Sequence, residues 1–314
     1  MSEAAVSAVI PSRDGADMLA VCLAALLDAS PRPAEIVVVD DGSIDDTAQM
    51  LRDRFPSVLR LEMRRGSGFG RLCNAGVAAC RNRLVLLMNN DMVPEHGFLS
   101  PLVERLSEPD VFAAGPQYRM RRGRAGEYMC SSCGDIHRES EHVKHEPATR
   151  LDAPAGGGLF DREKFTRLGG FDPLFLPFYW EDMDIGLRAW RAGWRIVHEP
   201  RSVMYHEQGA TIRRTHSRTA SEVVFARNRF LFIWKNIRDA DLLARHLAGL
   251  PLRLARDVLS RGGLVAGRGL AAALAELPRA MSRRAGSNIG SEMSDKELAK
   301  KAIGDVRALI SQIE

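Results

Sequence analysis

With 314 residues, 45% of them hydrophobic, the chain can bury a full core, which excludes a disordered tail or a short disulfide-stapled peptide. A formal net charge of +4 is too mild to imply a general nucleic-acid role, although arginine dominates from Arg213 onward. Five cysteines in no regular framework fit a reducing cytoplasm better than a secreted scaffold.

The opening MSEAAVSAVIPSRDG has no basic start followed by a long apolar run, so no signal peptide is expected. No stretch approaches the ~20 apolar residues of a membrane span. VSAVIP, ended by Pro11, reads as a buried strand. Leu19, Cys22, Leu23, Leu26 and Leu27 then recur at helical spacing. EIVVVDDGS is a second strand, SIDDTAQMLRDRF a helix capped by Ser43 or Asp45, and NRLVLLMNNDM a third strand. This alternation predicts an α/β fold with a parallel sheet and helices on both faces. Ligands of such sheets sit at the carboxyl ends of the strands. If the strands are neighbours, Pro11-Ser12-Arg13, Asp40-Asp41-Gly42 and Asn89-Asn90-Asp91 therefore converge on one crevice.

Beyond VFAAGPQYRM, the stretch from Arg121 to Arg150 is weakly periodic and reads as loops with an irregular hairpin. Gly156, Gly157 and Gly158 have no side chains, so backbone there can approach a ligand closely. WRIVHEP and SVMYHEQG read as two short strands flanking a turn at Pro200.

Two clusters carry candidate chemistry. Asp91, at the end of an apolar strand, has the form of a Mg²⁺ or Mn²⁺ site with open positions for phosphate oxygens, although Asn and Asp also favour plain turns. In FYWEDMDIGLRAWRAG, Glu181, Asp182 and Asp184 open a helix behind Tyr179 and Trp180. Acids suit the positive end of a helix dipole, but that does not account for the aromatics. A helix start at a pocket wall accounts for both, with Tyr179 and Trp180 at the wall and a carboxylate poised as a base. Crowding among the acids raises one carboxyl pKa. Asp184 and Arg188, four apart, pair on one face and leave Asp182 free. Cys130 and Cys133, with His137, His142 and His145 downstream, carry zinc-type ligands but not a full finger spacing; the alternative is free thiols in a loop.

In order and spacing, VIPSRDG, VVVDDGSIDDT, GFGRLCNAGVAACRNRLVLLMNNDM, GGGLFDREKFTRLGGFDPLFLPFYWEDMDIGLRAWRAGWRIVHEP and YHEQG resemble the family 2 glycosyltransferases of the GT-A fold, and in particular the rhamnosyltransferase-like branch. The resemblance implies inverting transfer of a sugar from a nucleotide-diphosphate donor to a glycan or lipid-linked acceptor. It implies that Asp41, beside Asp40, contacts the donor base, that Asp91 binds a divalent cation (Mg²⁺ or Mn²⁺), that His206 helps hold the cation or the diphosphate, and that Asp182 is the general base, supported by Glu181 and Asp184. Pro11, Ser12, Arg13, Gly70, Asn74, Asn89, Asn90 and Arg188 fall on its donor side, and Gly156, Gly157, Gly158, Tyr179 and Trp180 on its acceptor side. Arg13 stands where the family commonly has an aromatic, and Asn89 replaces the first carboxylate of an Asp-x-Asp form, which predicts weaker cation binding. A nucleotidyltransferase and an inactive donor-binding scaffold are the rival readings.

The expected organisation is a catalytic domain over 1–237, an amphipathic basic helical extension over 238–285, and a linker with a terminal helix over 286–314. In the extension Leu243, Leu247, Leu250, Leu254 and Val258 share one helical stripe, with Arg245, Arg253 and Arg256 opposite. The stripe packs on the catalytic domain or lies on an anionic membrane surface. Ser294 and Glu297 form a capping box for the last helix, whose apolar residues dock or form a homo-oligomer. The expected location is the cytoplasm, with peripheral attachment to the inner face of the membrane as the alternative, and no nucleic-acid partner.

Overall fold

The computed structural model describes residues 5–122, 127–131, 148–206, 216–261, 265–286 and 293–304. Every residue of β1 (Val6–Ser12) is buried. It pairs in parallel with β2 (Glu35–Asp40) on one side and β4 (Leu84–Met88) on the other, and β2 pairs in parallel with β3 (Leu59–Glu62). Burial on both faces is why β1, β2 and β4 read as continuous apolar runs rather than alternating ones.

Helices α1 (Ala16–Asp28), α2 (Thr47–Arg54) and α3 (Phe69–Ala79) connect these strands. α2 starts later than the caps expected from sequence. Asp45 bonds the Thr47 amide and hydroxyl, whereas the Ser43 hydroxyl accepts from the Asp14 amide and ties two loops together. Gly76 lets α3 lie directly on the sheet, since a Cβ there would overlap Val9 and crowd Val39.

Beyond β4 the sheet turns mixed. Its order is β3-β2-β1-β4-β9-β6-β10-β5, where β5 is Met92–Pro94, β6 Val111–Arg122, β9 Gly157–Asp161 and β10 Arg195–His206. β7 (Glu127–Ser131) forms an antiparallel hairpin with β6, and the two-residue β8 (Ala148–Thr149) pairs with β10. Helices α4 (Leu99–Arg105) and α5 (Arg162–Arg167) flank this half. The side chains of Cys130, Cys133, His137, His142 and His145 lie outside the described residues.

One expectation is corrected here. The described residues of WRIVHEP and SVMYHEQG from Arg195 to His206 form a single strand, β10, rather than two strands around a turn. Its register against β6 shifts between Glu199 and Val203, a bulge that absorbs Pro200 and its missing N–H without ending the strand. The buried Glu199 carboxylate steadies the bulge by accepting from Arg105 Nε at 2.7 Å and from the Arg201 amide and guanidinium at 2.8–3.0 Å.

The C-terminal third is helical: α6 (Glu181–Arg191) precedes β10, and α7 (Arg218–Asn236), α8 (Ala240–Arg261), α9 (Val265–Ala275), α10 (Leu277–Gly286) and α11 (Asp295–Ile303) follow it. The capping box on α11 is present, with Ser294 and Glu297 bonding each other's backbone amides. One hydrophobic cluster runs from Val9 and Phe112 of the sheet to Ala273, Ala280 and Leu298 of these helices. Buried polar contacts add to it. Arg191 of α6 meets Asp295 of α11 at 2.6 Å, and Asp295 also accepts from the Arg238 and Asp239 amides.

Removing Asp295 strands the buried Arg191. Asp295→Ala is therefore expected to cost about 3–5 kcal/mol, the usual range for breaking a buried pair from one side, measured by denaturant unfolding.

Candidate active site at the carboxyl ends of the strands

With β1 between β2 and β4, the three strand-end clusters do converge. Asn90 Nδ2 donates to Ser12 Oγ at 2.9 Å, and the Asp41 amide donates to the Ser12 carbonyl at 2.9 Å. Arg13 approaches Asp41 at 3.7 Å and Asp14 at 3.8 Å. The loop after β3 closes this corner: Arg65 pairs with Asp14 at 2.5 Å, and the Ser67 amide donates to Asp41 at 2.8 Å. Burial pushes the Asp41 carboxyl up, against amide bonds from Ser67 and Gly66 and the charges of Arg13 and Arg65. Asp14 and Arg65 were not singled out from sequence, because only the fold brings residues 51 apart to one rim.

Asp40 does not belong to the donor side. It has no exposed surface, its Oδ2 is held by Arg60 Nε and Nη2 at 2.9 and 2.6 Å, and its Oδ1 caps the turn at the Ser43 amide. Gly70 is buried against Phe171, and half-buried Asn74 spends its side chain on the Phe171 amide at 2.9 Å and carbonyl at 2.8 Å.

At the end of β4, Asp91 Oδ1 lies 3.2 Å from Nε2 of His206, the last residue of β10. Both atoms are buried and neither makes a protein hydrogen bond. The pair borders a cavity of about 240 Å³ that Asp17, Met18 and Tyr205 also line. No group of three metal-ligating side chains occurs among the described residues. One carboxylate and one imidazole, with orphaned atoms facing each other, fit a hard divalent ion that takes its other ligands from phosphate and water. Asn89 lies beside this pair and fixes a neighbouring loop through its amide, which donates to the Gly156 carbonyl at 2.8 Å.

The glycine run serves packing more than ligand approach. A Cβ on Gly157 would meet Met92, Met204 and Tyr118, one on Gly158 would overlap Pro154, and both glycines are buried in β9. Gly156, half-buried, keeps a face toward Asn89.

The turn before α6 is strained. Tyr179 and Trp180 have φ of +74° and +75°, rare for bulky residues, and such strain concentrates at functional sites. Asn228 of α7 holds the turn by donating to the carbonyls of Phe175, Phe178 and Tyr179 at 2.7–2.9 Å. Trp180 is buried against Phe225 and Phe232, so it is a core residue and not an acceptor-pocket wall; Tyr179 is half-buried against Phe178 and Phe225.

The three acids that follow have three different environments. Asp184 is fully buried, bonded by Arg188 at 2.7–2.9 Å, by Lys235 at 2.5 Å and by Asn236 at 2.9 Å. Burial alone would raise its pKa, but the two cations and these bonds hold it at about 2. Arg188 is spent in this network and on the Leu168 and Gly170 carbonyls, which corrects its assignment to the donor side. Glu181 is buried with Oε2 unpartnered, and burial together with the charges of Asp182 and Asp184 lifts its pKa well above the carboxylate range. Asp182 is half-buried and reaches about 6, through burial first and the charge of Asp152 second.

Asp152 was missed in the sequence, as was the buried Arg150 that pairs with it. The loop carrying them joins the two halves of the site. Its Ala153 amide donates to the Asp182 carbonyl at 3.1 Å, and its far end, Gly156, receives Asn89. Gly186 makes this approach possible, since a Cβ there would overlap the Leu151 carbonyl.

The family model described as Glycosyl transferase family 2 matches residues 7–169. The chain is 27% identical to an N-acetylglucosaminyl-diphospho-decaprenol L-rhamnosyltransferase of Mycobacterium tuberculosis, covering 72% of this chain and 86% of that one. It is 26% identical to a chondroitin synthase of Escherichia coli, covering 65% of this chain and 34% of the synthase. Among solved structures, a crystal structure of GalNAc-T7 with UDP, GalNAc and Mn²⁺ superposes with a TM-score of 0.61 at 14% identity, over 88% of this chain and 58% of that one. At that identity the likeness establishes the GT-A-type fold.

The raised pKa of Asp182 makes its ionised form a cost to the folded state. A carboxyl whose folded pKa of about 6 exceeds its unfolded value of 3.8 contributes stability at low pH that is lost as pH rises through 6. Asp182→Asn is expected to raise the melting temperature above pH 6 and to leave it nearly unchanged at pH 4. Glu181→Gln removes a carboxyl whose pKa is likewise raised in the fold, so it is expected to raise the melting temperature above pH 6 as well and to change it little at pH 4. Thermal melts across that range check both.

Proposed function

The chain belongs to glycosyl transferase family 2, and on that premise we propose an inverting, single-displacement transfer of a sugar from a nucleotide-diphosphate donor to a hydroxyl acceptor. The observation that carries the reading is Asp182: a half-buried carboxyl, with a pKa of about 6, at the start of a helix tied by one loop to the strand end that holds Asp91.

The donor's base and ribose lie at the first corner, where Asp41 accepts hydrogen bonds and the Arg13 guanidinium offers a flat cationic face in place of an aromatic ring. The diphosphate lies toward Asp91 and His206. Asp91 and His206 would hold a divalent cation there, and its charge would offset the charge that builds on the leaving diphosphate. On the opposite side Asp182 takes the proton of the acceptor hydroxyl as that oxygen attacks the anomeric carbon. A base of pKa near 6 is ionised at neutral pH yet keeps a useful proton affinity. Asp152 holds that affinity up, and Glu181, neutral, adds no competing charge. Asp184 supports α6 from beneath and touches no substrate in this scheme. With Asn89 where a second acid would add charge, a cation there would be held by fewer protein charges.

The acceptor is a glycan or its lipid-linked precursor, the class to which the mycobacterial relative's name points. Among the described residues no helix is long and apolar enough to cross a membrane.

Two measurements test the scheme. Asp182→Asn is expected to lower turnover by about 10²–10⁴ while keeping the thermal shift produced by the nucleotide donor, and wild-type turnover is expected to fall as pH drops through 6. In the same shift assay, Mn²⁺ is expected to enhance the response to a nucleoside diphosphate in the wild type but not in Asp91→Asn or His206→Ala. Unchanged turnover in Asp182→Asn, or a Mn²⁺ effect that survives both site changes, overturns the respective assignment.

A further inference from the structure

Helix α8 splits the leucine stripe expected from its sequence. Leu242 and His246 are buried, Leu243 and Leu250 are half-buried, and Arg253 turns inward to donate to the His246 carbonyl. The opposite side of the helix is exposed and mostly apolar. Leu247 and Leu252 are each 60% exposed and Leu259 87%, with Pro251 and the alanines 244, 248 and 255 between them. Arg245 and Arg256 are exposed beside Leu252 and Leu259 on the helical spacing. Asp241 is the one carboxylate among the described residues of this side, and Lys296 pairs with it at 2.5 Å.

Leucines standing into solvent over several turns are a marker of an interaction surface. The charge pattern selects the occupant. A second copy meeting the first through this face would bring the two sets of arginines together with no free carboxylate to answer them. An anionic lipid surface accepts both features, since guanidinium groups meet headgroup phosphates while leucines enter the acyl boundary. We propose that the exposed side of α8 is an anionic-membrane docking face, which seats the protein on the surface without crossing it. The proposal does not depend on the assigned catalytic roles, and none of its residues lies in the active site.

The test is co-sedimentation of the full chain with phosphatidylcholine vesicles, with and without phosphatidylglycerol. Binding is expected only to the anionic vesicles and is expected to weaken with salt, because the headgroup attraction is screened. Replacing both arginines (Arg245→Gln with Arg256→Gln) is expected to lower partitioning about tenfold or more. The pair Leu252→Gln with Leu259→Gln is expected to lower it comparably, with the melting temperature and the donor-induced shift unchanged in both variants. The proposal is overturned if the folded chain fails to bind anionic vesicles at low salt, or if binding survives both pairs of changes. It is equally overturned by a lipid-free dimer in sedimentation velocity that the leucine pair dissolves, which would assign the face to a second copy.

Discussion

Asp184 has no exposed surface, yet its carboxylate stays ionised because Arg188 and Lys235 supply charge and Asn236 a further donor within 2.9 Å. Placing a charge inside a protein is tolerable only when partners replace the lost water. Here the partners come from two elements, α6 and α7, so the charge fixes one helix against the other. Lys235 also reaches Asp172 at 2.7 Å, and Asn228, two turns earlier on α7, holds the carbonyls of the strained turn at Tyr179 and Trp180. The start of α6, and with it the position of Asp182, is set from beneath by one face of α7.

That arrangement resolves the crowding of three acids within four residues. Asp182 leaves the helix in a different direction from Glu181 and Asp184, and those two, three apart on one face, meet different neighbours. Asp184 points to cations and is held charged. Glu181 is buried with one oxygen unpartnered, and burial together with the neighbouring carboxylates favours its protonated form. Asp182 points toward the loop of Arg150 and Asp152, where a second carboxylate keeps its proton affinity high. Environment assigns the roles among chemically similar groups, as in other sites built on paired carboxyls.

The strand-end crevice follows a different logic. Its geometry depends on β1 lying between β2 and β4, and the polar residues at the three ends are divided between scaffold and site. Asp40 and Asn90 spend their groups on Arg60, Ser43 and Ser12. Asp91 and His206 keep atoms that no protein donor or acceptor satisfies. An unsatisfied buried polar group is costly, and two of them face to face suit the cation proposed to bind there.

Much of this was legible in the residues alone. The apolar runs VSAVIP, EIVVVD and LVLLM determined strands, because a strand covered on both faces must be apolar at consecutive positions. The order of acidic strand ends carried the family likeness, and Ser294 with Glu297 announced a helix start that depends only on local bonding. Which polar side chains remain available to a substrate was not legible. Asp40 and Asp41 are adjacent and chemically identical, and only the approach of Arg60 from β3 consumes one of them. Trp180 reads as a site residue until Phe225 and Phe232 of α7 cover it, Arg188 until Asp184 and the Leu168 and Gly170 carbonyls take its guanidinium, and Asp152 reads as loop until folding brings it to Asp182. The sequence by itself determined what depends on neighbours along the chain: the buried parallel strands, the capping box at Ser294 and the order of motifs. Availability, protonation and exposure, including the outward turn of Leu247, Leu252 and Leu259 on α8, were decided by tertiary structure, because each depends on groups tens of residues away whose arrival no local pattern records.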